Sequence, residues 1–249
     1  MEREKITLLD GKQWEKDELL QKMYDDTFYY GYLGKAALSS SSIKKLTLSV
    51  EEYQDSLVRK FDSKALIIGR LVHVAVLQPE LIDSMYQFID CKTRGSRLYK
   101  DALALSKEQE EHYEVVLEKD RIWSNEIRDA VLNHKTAAKL LSNGKAEIPA
   151  IDNIMGVPVR AKADWLRDDC IVDLKTTSNI DDFDYNCMQF GYDIQAYLYT
   201  KIFKRSKFIF IAVDKKSYKV EIKQASQEMI KDGEDKVRKA VSNYVQGYF

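Results

Sequence analysis

Apolar and polar positions follow two periods along this chain, and the changeover divides it. Up to about residue 145 apolar residues recur every three or four positions, as on one side of a helix; beyond Glu147 they alternate one in two, as in strands. From Gln224 to Tyr244 the helical spacing returns, through Ile230, Val237, Val241 and Tyr244. In the first part, Trp14 to Tyr30 reads as a ragged helix ended by FYYGYLG at its glycines. Ser39 to Ser42 open the next helix, because a serine oxygen at a helix start accepts from an unpaired backbone N–H; a phosphate near Lys44 and Lys45 is the other use of such a start. SKALIIGRLVHVAVLQPELIDSMY continues as a mostly apolar helix interrupted at Pro79. A long polar helix is predicted from Ser106 to about Asn133, with Ile122, Trp123, Ile127 and Val131 inward, then a short one from Lys135 to Asn143 stopped by Gly144.

The strand-like part centres on Val157 to Thr177. VPVRAKAD alternates at period two, RDD breaks the pattern and CIVDLK resumes it, which predicts a hairpin. Residues two apart in a strand share a side, so Asp164 lies with Arg160 and Lys162, and Asp173 lies with Lys175, while Val172 and Leu174 face away. A modest twist brings the two carboxylates together beside the lysine. Paired carboxylates repel unless a cation lies between them, and oxygen donors suit a hard divalent ion such as Mg2+. A water acidified by such an ion is a nucleophile for a phosphodiester. A solvated surface pair gives the same D-x-K string, so the motif alone is a weak signal. After it, Ser178 and Asn179 cap a helix that sets Tyr192, Gln195 and Tyr199 on one side, and KFIFIAVDKKSYKVEI forms two strands across an Asp-Lys-Lys turn.

Composition narrows this picture. With 249 residues, 45% of them hydrophobic, the chain can bury a sizeable core, and no linker or repeat divides it. One elaborated domain is expected: residues 1–145 mainly helical, 146–223 β-rich and catalytic, 224–249 a closing helix. Net charge is −1, so a DNA contact must rest on a local basic patch. Candidates are Arg94, Arg97 and Lys100 around Gly95 and Tyr99, and further on Lys204, Arg205 and Lys207. Cys91, Cys170 and Cys187 fit reduced thiols and cannot supply a four-cysteine metal cluster. No apolar run approaches the roughly 18 residues of a membrane span, so a soluble, cytoplasmic protein is expected. His73, alone on an apolar helix, is by default a hydrogen-bonded core residue; His112 and His134 read as helix-surface residues.

The arrangement of Asp164, separated by eight intervening residues from Asp173-Leu174-Lys175-Thr176-Thr177, followed by Tyr192, Gln195 and Tyr199, resembles the PD-(D/E)xK nuclease superfamily in its RecB-like branch. GRLVHVAVLQPE, which contains His73, is similar to a segment of the exonuclease VIII-like recombination nucleases of phages and prophages. Ala163 replaces the proline of the superfamily name. The resemblance, from roughly Ser39 to Ile222, implies an α/β fold: a mixed sheet flanked by helices, with a helical N-terminal half. It implies a deoxyribonuclease dependent on Mg2+, with Mn2+ able to substitute, that resects double-stranded DNA from an end. Asp164, Asp173, the Leu174 carbonyl, His73 and Glu147 would surround the metal; Lys175 would orient or deprotonate the attacking water; Gln195 would position Lys175 or the phosphate. Arg94, Arg97, Lys100, Tyr192 and Tyr199 are the implied DNA contacts. A single-strand annealing protein, a homo-oligomer and the cytoplasm of a bacterial host complete the implied setting. The alternatives are an endonuclease of restriction or repair type on the same core, and a non-catalytic DNA-binding module.

Overall fold

The computed structural model describes residues 4–58, 64–108 and 113–248. The N-terminal segment pairs β1 (Lys5–Thr7) antiparallel with β2 (Gln13–Glu15), followed by α1 (Lys16–Lys22), a π-helix (Thr27–Tyr32) and α2 (Leu33–Ala36). The ragged helix expected from Trp14 is therefore a strand, a short helix and a π-helical stretch, because three-residue strands show no period. This segment has its own core of Leu19, Met23, Tyr29 and Leu33, closed by Ile151.

Next come α3 (Ser40–Leu46), α4 (Val50–Val58) and α5 (Lys64–Leu77), then a 3-10 turn at Pro79–Leu81 and α6 (Ile82–Met85). The serine run caps α3 as predicted: Ser39 Oγ accepts from the Ser42 N–H at 3.3 Å and Ser42 Oγ from the Ser39 N–H at 3.1 Å. β3 (Tyr86–Ile89) pairs parallel with β4 (Glu114–Leu117), with α7 (Arg97–Glu108) between them in sequence. α8 (Glu118–Asn133) and α9 (Lys135–Leu141) follow. The long helix expected from Ser106 is thus corrected to start at Glu118, since Glu114–Leu117 is a strand and 109–112, with His112, lie outside the described residues. Ile127 and Val131 are fully buried, but Ile122 is 56% exposed. Five residues rotate it about 140° from Ile127 around the helix. His134 is not a helix-surface residue: it caps α9, its Nδ1 accepting from the Ala137 N–H at 3.2 Å.

The main sheet runs β5 (Lys145–Ile154), β6 (Val157–Leu166), β7 (Ile171–Thr177), β8 (Phe208–Asp214), β9 (Val220–Gln224) in that order, all antiparallel except the parallel pair β7 and β8. Both predicted hairpins form. A parallel neighbour demands a crossover, and α10 (Phe183–Phe190) and α11 (Tyr192–Ile202) supply it. Ser178 and Asn179 do not start a single helix: α10 begins after Asp182, and Gly191 at φ 74° breaks α10 from α11, a conformation glycine adopts without penalty. α12 (Gln227–Tyr248) closes the chain.

Helices cover both sides of the sheet. On one, Phe183, Ile194, Leu198, Val237 and Val241 pack with Ile171, Phe208 and Phe210; on the other, Val72, Val76, Ile127 and Val131 pack with Val172, Leu174, Ile211 and Val213. Alternation along β7 and β8 feeds the two layers in turn. The fold is α/β, a five-stranded mixed sheet flanked by helices, as the resemblance implied. Among the described residues no helix is long and apolar enough to cross a membrane.

Candidate active site

The site is a fork in the sheet. β6 and β7 pair only beside their turn, at Trp165–Val172 and Leu166–Ile171, and diverge beyond it. Into the gap reaches Asp164, whose Oδ2 accepts the Leu174 backbone N–H at 2.9 Å. A carboxylate thus replaces the carbonyl of a missing ladder bond and is held at the mouth of the fork.

β5 brings Glu147 to the same place. Its neighbours Ala146 and Ile148 stay in register with Trp165 and Ala163, so alternation sets Glu147 opposite Asp164, but Glu147 itself has φ 52° and breaks the ladder. Such a backbone costs a glutamate roughly 1–3 kcal/mol and persists where the surrounding structure over-determines it. From α5, His73 Nδ1 approaches Asp164 Oδ2 at 3.5 Å. One ligand atom each from His73, Glu147 and Asp164 lies within 4.8 Å of the others. Burial, then the charge of Asp164, pushes the Glu147 carboxyl up to about 8, against the pull of Lys162.

A second group adjoins it. Asp173 is 1% exposed; its Oδ1 accepts from Gln195 Nε2 at 2.7 Å, and its Oδ2 lies 2.6 Å from Lys175 Nζ, an ion pair outside good hydrogen-bond angles. Burial raises its carboxyl to about 6 despite Lys175, and Asp164 adds to the rise. Burial disfavours the Lys175 ammonium, but Asp173 and Asp164 outweigh it and keep this lysine charged above its ordinary value. Lys175 Nζ also stands 4.8 Å over the Tyr192 ring, which packs against Phe183, Phe190 and Phe210. Gln195 and Tyr192, three apart on α11, therefore hold the two ends of the Asp173–Lys175 pair.

Other expected residues fall elsewhere. Tyr199 is 8% exposed, packed on Phe203 and Phe208, its hydroxyl oxygen accepting the Lys162 N–H at 3.5 Å; its ring belongs to the core and offers DNA no face, which corrects its reading as a contact. Arg94 pairs with Asp120 at 3.3 Å, exposed Arg97 with Asp101 at 3.5 Å, and Lys100 is exposed on α7. That helix packs chiefly on β3 and β4. Arg205 donates to the carbonyls of Arg167, Phe203 and Lys204, a clamp at the end of α11. Lys162, beside Glu147, and its neighbour Arg160 were singled out only as sharing the side of Asp164; the structure adds the π-helix against them.

A forked mixed sheet carrying Asp164, Asp173 and Lys175 in this order defines a protein of the PD-(D/E)xK nuclease fold. The chain belongs to the family described as PDDEXK-like domain of unknown function (DUF3799), whose model matches residues 39–247. A solved structure of a candidate exonuclease from Eubacterium rectale is similar with a TM-score of 0.64 at 17% identity, covering 88% of this chain and 86% of that one, and so shares the fold. An alkaline exonuclease from Laribacter hongkongensis (TM-score 0.39, 13% identity, 88% and 91% covered) and a phage-related exonuclease from Haemophilus somnus 129PT (0.35, 14%, 84% and 94%) are more distant. No curated protein matches the sequence.

Proposed function

We propose that this protein is a divalent-metal-dependent exonuclease that resects double-stranded DNA from an end. The observation that carries the reading is the meeting, at the fork, of His73, Glu147 and Asp164 with the Asp173–Lys175–Gln195 group. The donors suit a metal: the carboxylates are crowded and partly buried, Glu147 and Asp173 are both pushed toward the protonated form, and a divalent cation among them would favour their ionised forms. Asp164, Glu147 and His73 would hold Mg2+ or Mn2+, with Asp173 and the Leu174 carbonyl as further donors; oxygen ligands favour Mg2+. When bound, the ion acidifies a water and offsets charge on the phosphate.

The side chains divide the remaining work. Lys175 is cationic and paired, so it orients the water and steadies the phosphate; it does not act as a base. Gln195 fixes the Asp173 carboxylate, and the Tyr192 ring beneath the ammonium restricts where Lys175 can swing. Arg94, Arg97 and Lys100 would meet backbone phosphates away from the fork, where affinity depends steeply on salt. The resemblance also supports a single-strand annealing partner, a homo-oligomer and a cytoplasmic setting in a bacterial host.

The test is incubation with Mg2+ of linear duplex, nicked circle and closed circle, each with a chelator control. Linear duplex should be consumed progressively from one strand while the closed circle survives. Linearisation of the closed circle would move the reading to an endonuclease. His73→Ala is expected to fold normally and to need roughly 10- to 100-fold more metal for half-maximal activity. A lower melting temperature with an unchanged metal requirement would return His73 to the core.

A further inference from the structure

We infer that β6 is a register for the nucleic-acid strand: successive backbone phosphates beside the scissile one lie at Lys162 and Arg160, and a base stacks on Tyr30. The inference rests on the nuclease reading and extends it to a subsite. It begins from Arg160, which is 8% exposed although no carboxylate among the described residues pairs with it. Its Nε donates to the Leu33 carbonyl at 3.2 Å, and its guanidinium lies 4.4 Å from the Tyr29 ring centre and 5.9 Å from that of Tyr30. A buried cation without an anion is unfavourable. The Tyr29 phenol does not supply the anion, for burial pushes it up to about 12, despite Arg160.

Lys162 lies next to it, its side chain 11% exposed, 4.5 Å over Tyr29 and 5.0 Å over Tyr30. Its one ion-pair partner among the described residues is Asp26, at 2.5 Å, a carboxylate that is itself 65% exposed. Tyr30 is 60% exposed. Two cations, an accessible aromatic ring and a surface carboxylate lying where an anion would enter make a recess for a phosphate and its base. The recess abuts the acidic cluster: Glu147 is near enough to raise both tyrosines, and Lys162 and Asp26 both act on Glu147.

Spacing sets the order. Arg160, Lys162 and Asp164 alternate along one strand, and each two-residue step advances about 6.8 Å, of the order of the distance between neighbouring phosphates in an extended strand. A phosphate attacked near Asp164 therefore has its neighbours at Lys162 and Arg160. Asp26, Tyr29 and Tyr30 precede residue 39, so this wall of the recess lies outside the family match. Asp26 holds the place of the phosphate at Lys162 until a strand displaces it.

The test is binding of a fluorescent oligothymidylate to the full chain, with chelator present so that nothing is cleaved, read by anisotropy across a salt series. Lys162→Gln should weaken binding and lower the salt slope by about 0.7, and Tyr30→Ala should weaken it roughly 5- to 150-fold. Asp26→Asn should tighten it, because the competing carboxylate is gone. Both Lys162 and Tyr30 variants binding as the parent, with an unchanged slope, would overturn the register while leaving cleavage by the parent intact. Weaker binding by Asp26→Asn would overturn the place-holding role. A parent that neither binds nor cleaves DNA would sink the register and the nuclease reading together.

Discussion

Lys175→Ala is expected to slow metal-dependent DNA cleavage by roughly 10²- to 10³-fold, the range seen when one group that stabilises charge in the transition state is lost. The ammonium sits 2.6 Å from Asp173 and over the Tyr192 ring, so its position is held from two sides. The fold should survive the change. Removing a partner from a buried pair leaves an uncompensated charge, but burial already raises the Asp173 carboxyl to about 6 with the lysine in place. Without the lysine, whose charge lowers it, the carboxyl is pushed further toward its protonated form and stays bonded to Gln195. Lys175→Arg should keep the ion pair and the melting temperature yet recover only part of the rate, since a planar guanidinium does not put its charge where an ammonium does. Circular dichroism and cleavage of linear duplex on the same preparation check both. A folded Lys175→Ala variant working at the parent rate would place the chemistry elsewhere.

The parts of this site legible in the sequence were those set by short-range spacing. Asp173 and Lys175 lie two apart on a strand, Tyr192 and Gln195 three apart on a helix, and the backbone period alone makes each pair share a side. His73 was legible only through resemblance; a histidine among valines and leucines says nothing of the carboxylate 3.5 Å away on β6. Glu147 stood in the right order, but its left-handed backbone is imposed by the fork and has no mark in the residues around it.

Where reading failed, local pattern was overridden or too short to register. Tyr199 has the helical spacing of a site residue, yet the turn of α11 aims it between Phe203 and Phe208. The strand Glu114–Leu117 was absorbed into a helix because four residues, two of them valine, do not establish a period against the long polar run that follows. The stretch FYYGYLG was noted as an aromatic cluster at a helix end; that it forms a π-helix packed on Arg160 and Lys162 depends on contacts more than 120 residues apart in the chain.

Divalent metal is expected to stabilise this protein more at pH 8 than at pH 5. Without metal, the folded state raises Glu147 to about 8 from 4.5 and Asp173 to about 6 from 3.8, both chiefly through burial. The native chain therefore binds these protons more tightly than the unfolded chain. Below the ordinary carboxylate values both states are protonated and these two groups cost the fold nothing; as pH climbs through 4 toward 8 the unfolded chain ionises first, and their contribution to stability is progressively lost. A divalent ion reverses this, because it takes the place of the protons and must compete with fewer of them as pH rises. At a free concentration 100 times its dissociation constant, a metal adds about 2.7 kcal/mol, which for a chain of this size corresponds to roughly 5–10 °C in melting temperature. Melting curves at pH 5, 6.5 and 8, each with chelator, Mg2+ or Mn2+, test it. The chelated protein should melt lower at pH 8 than at pH 5, and metal should close that gap. Asp164→Asn should abolish most of the metal-dependent rise. A rise equal at all three pH values, or one that persists in Asp164→Asn, would mean that the ion binds away from the fork and that the crowded carboxylates serve another purpose.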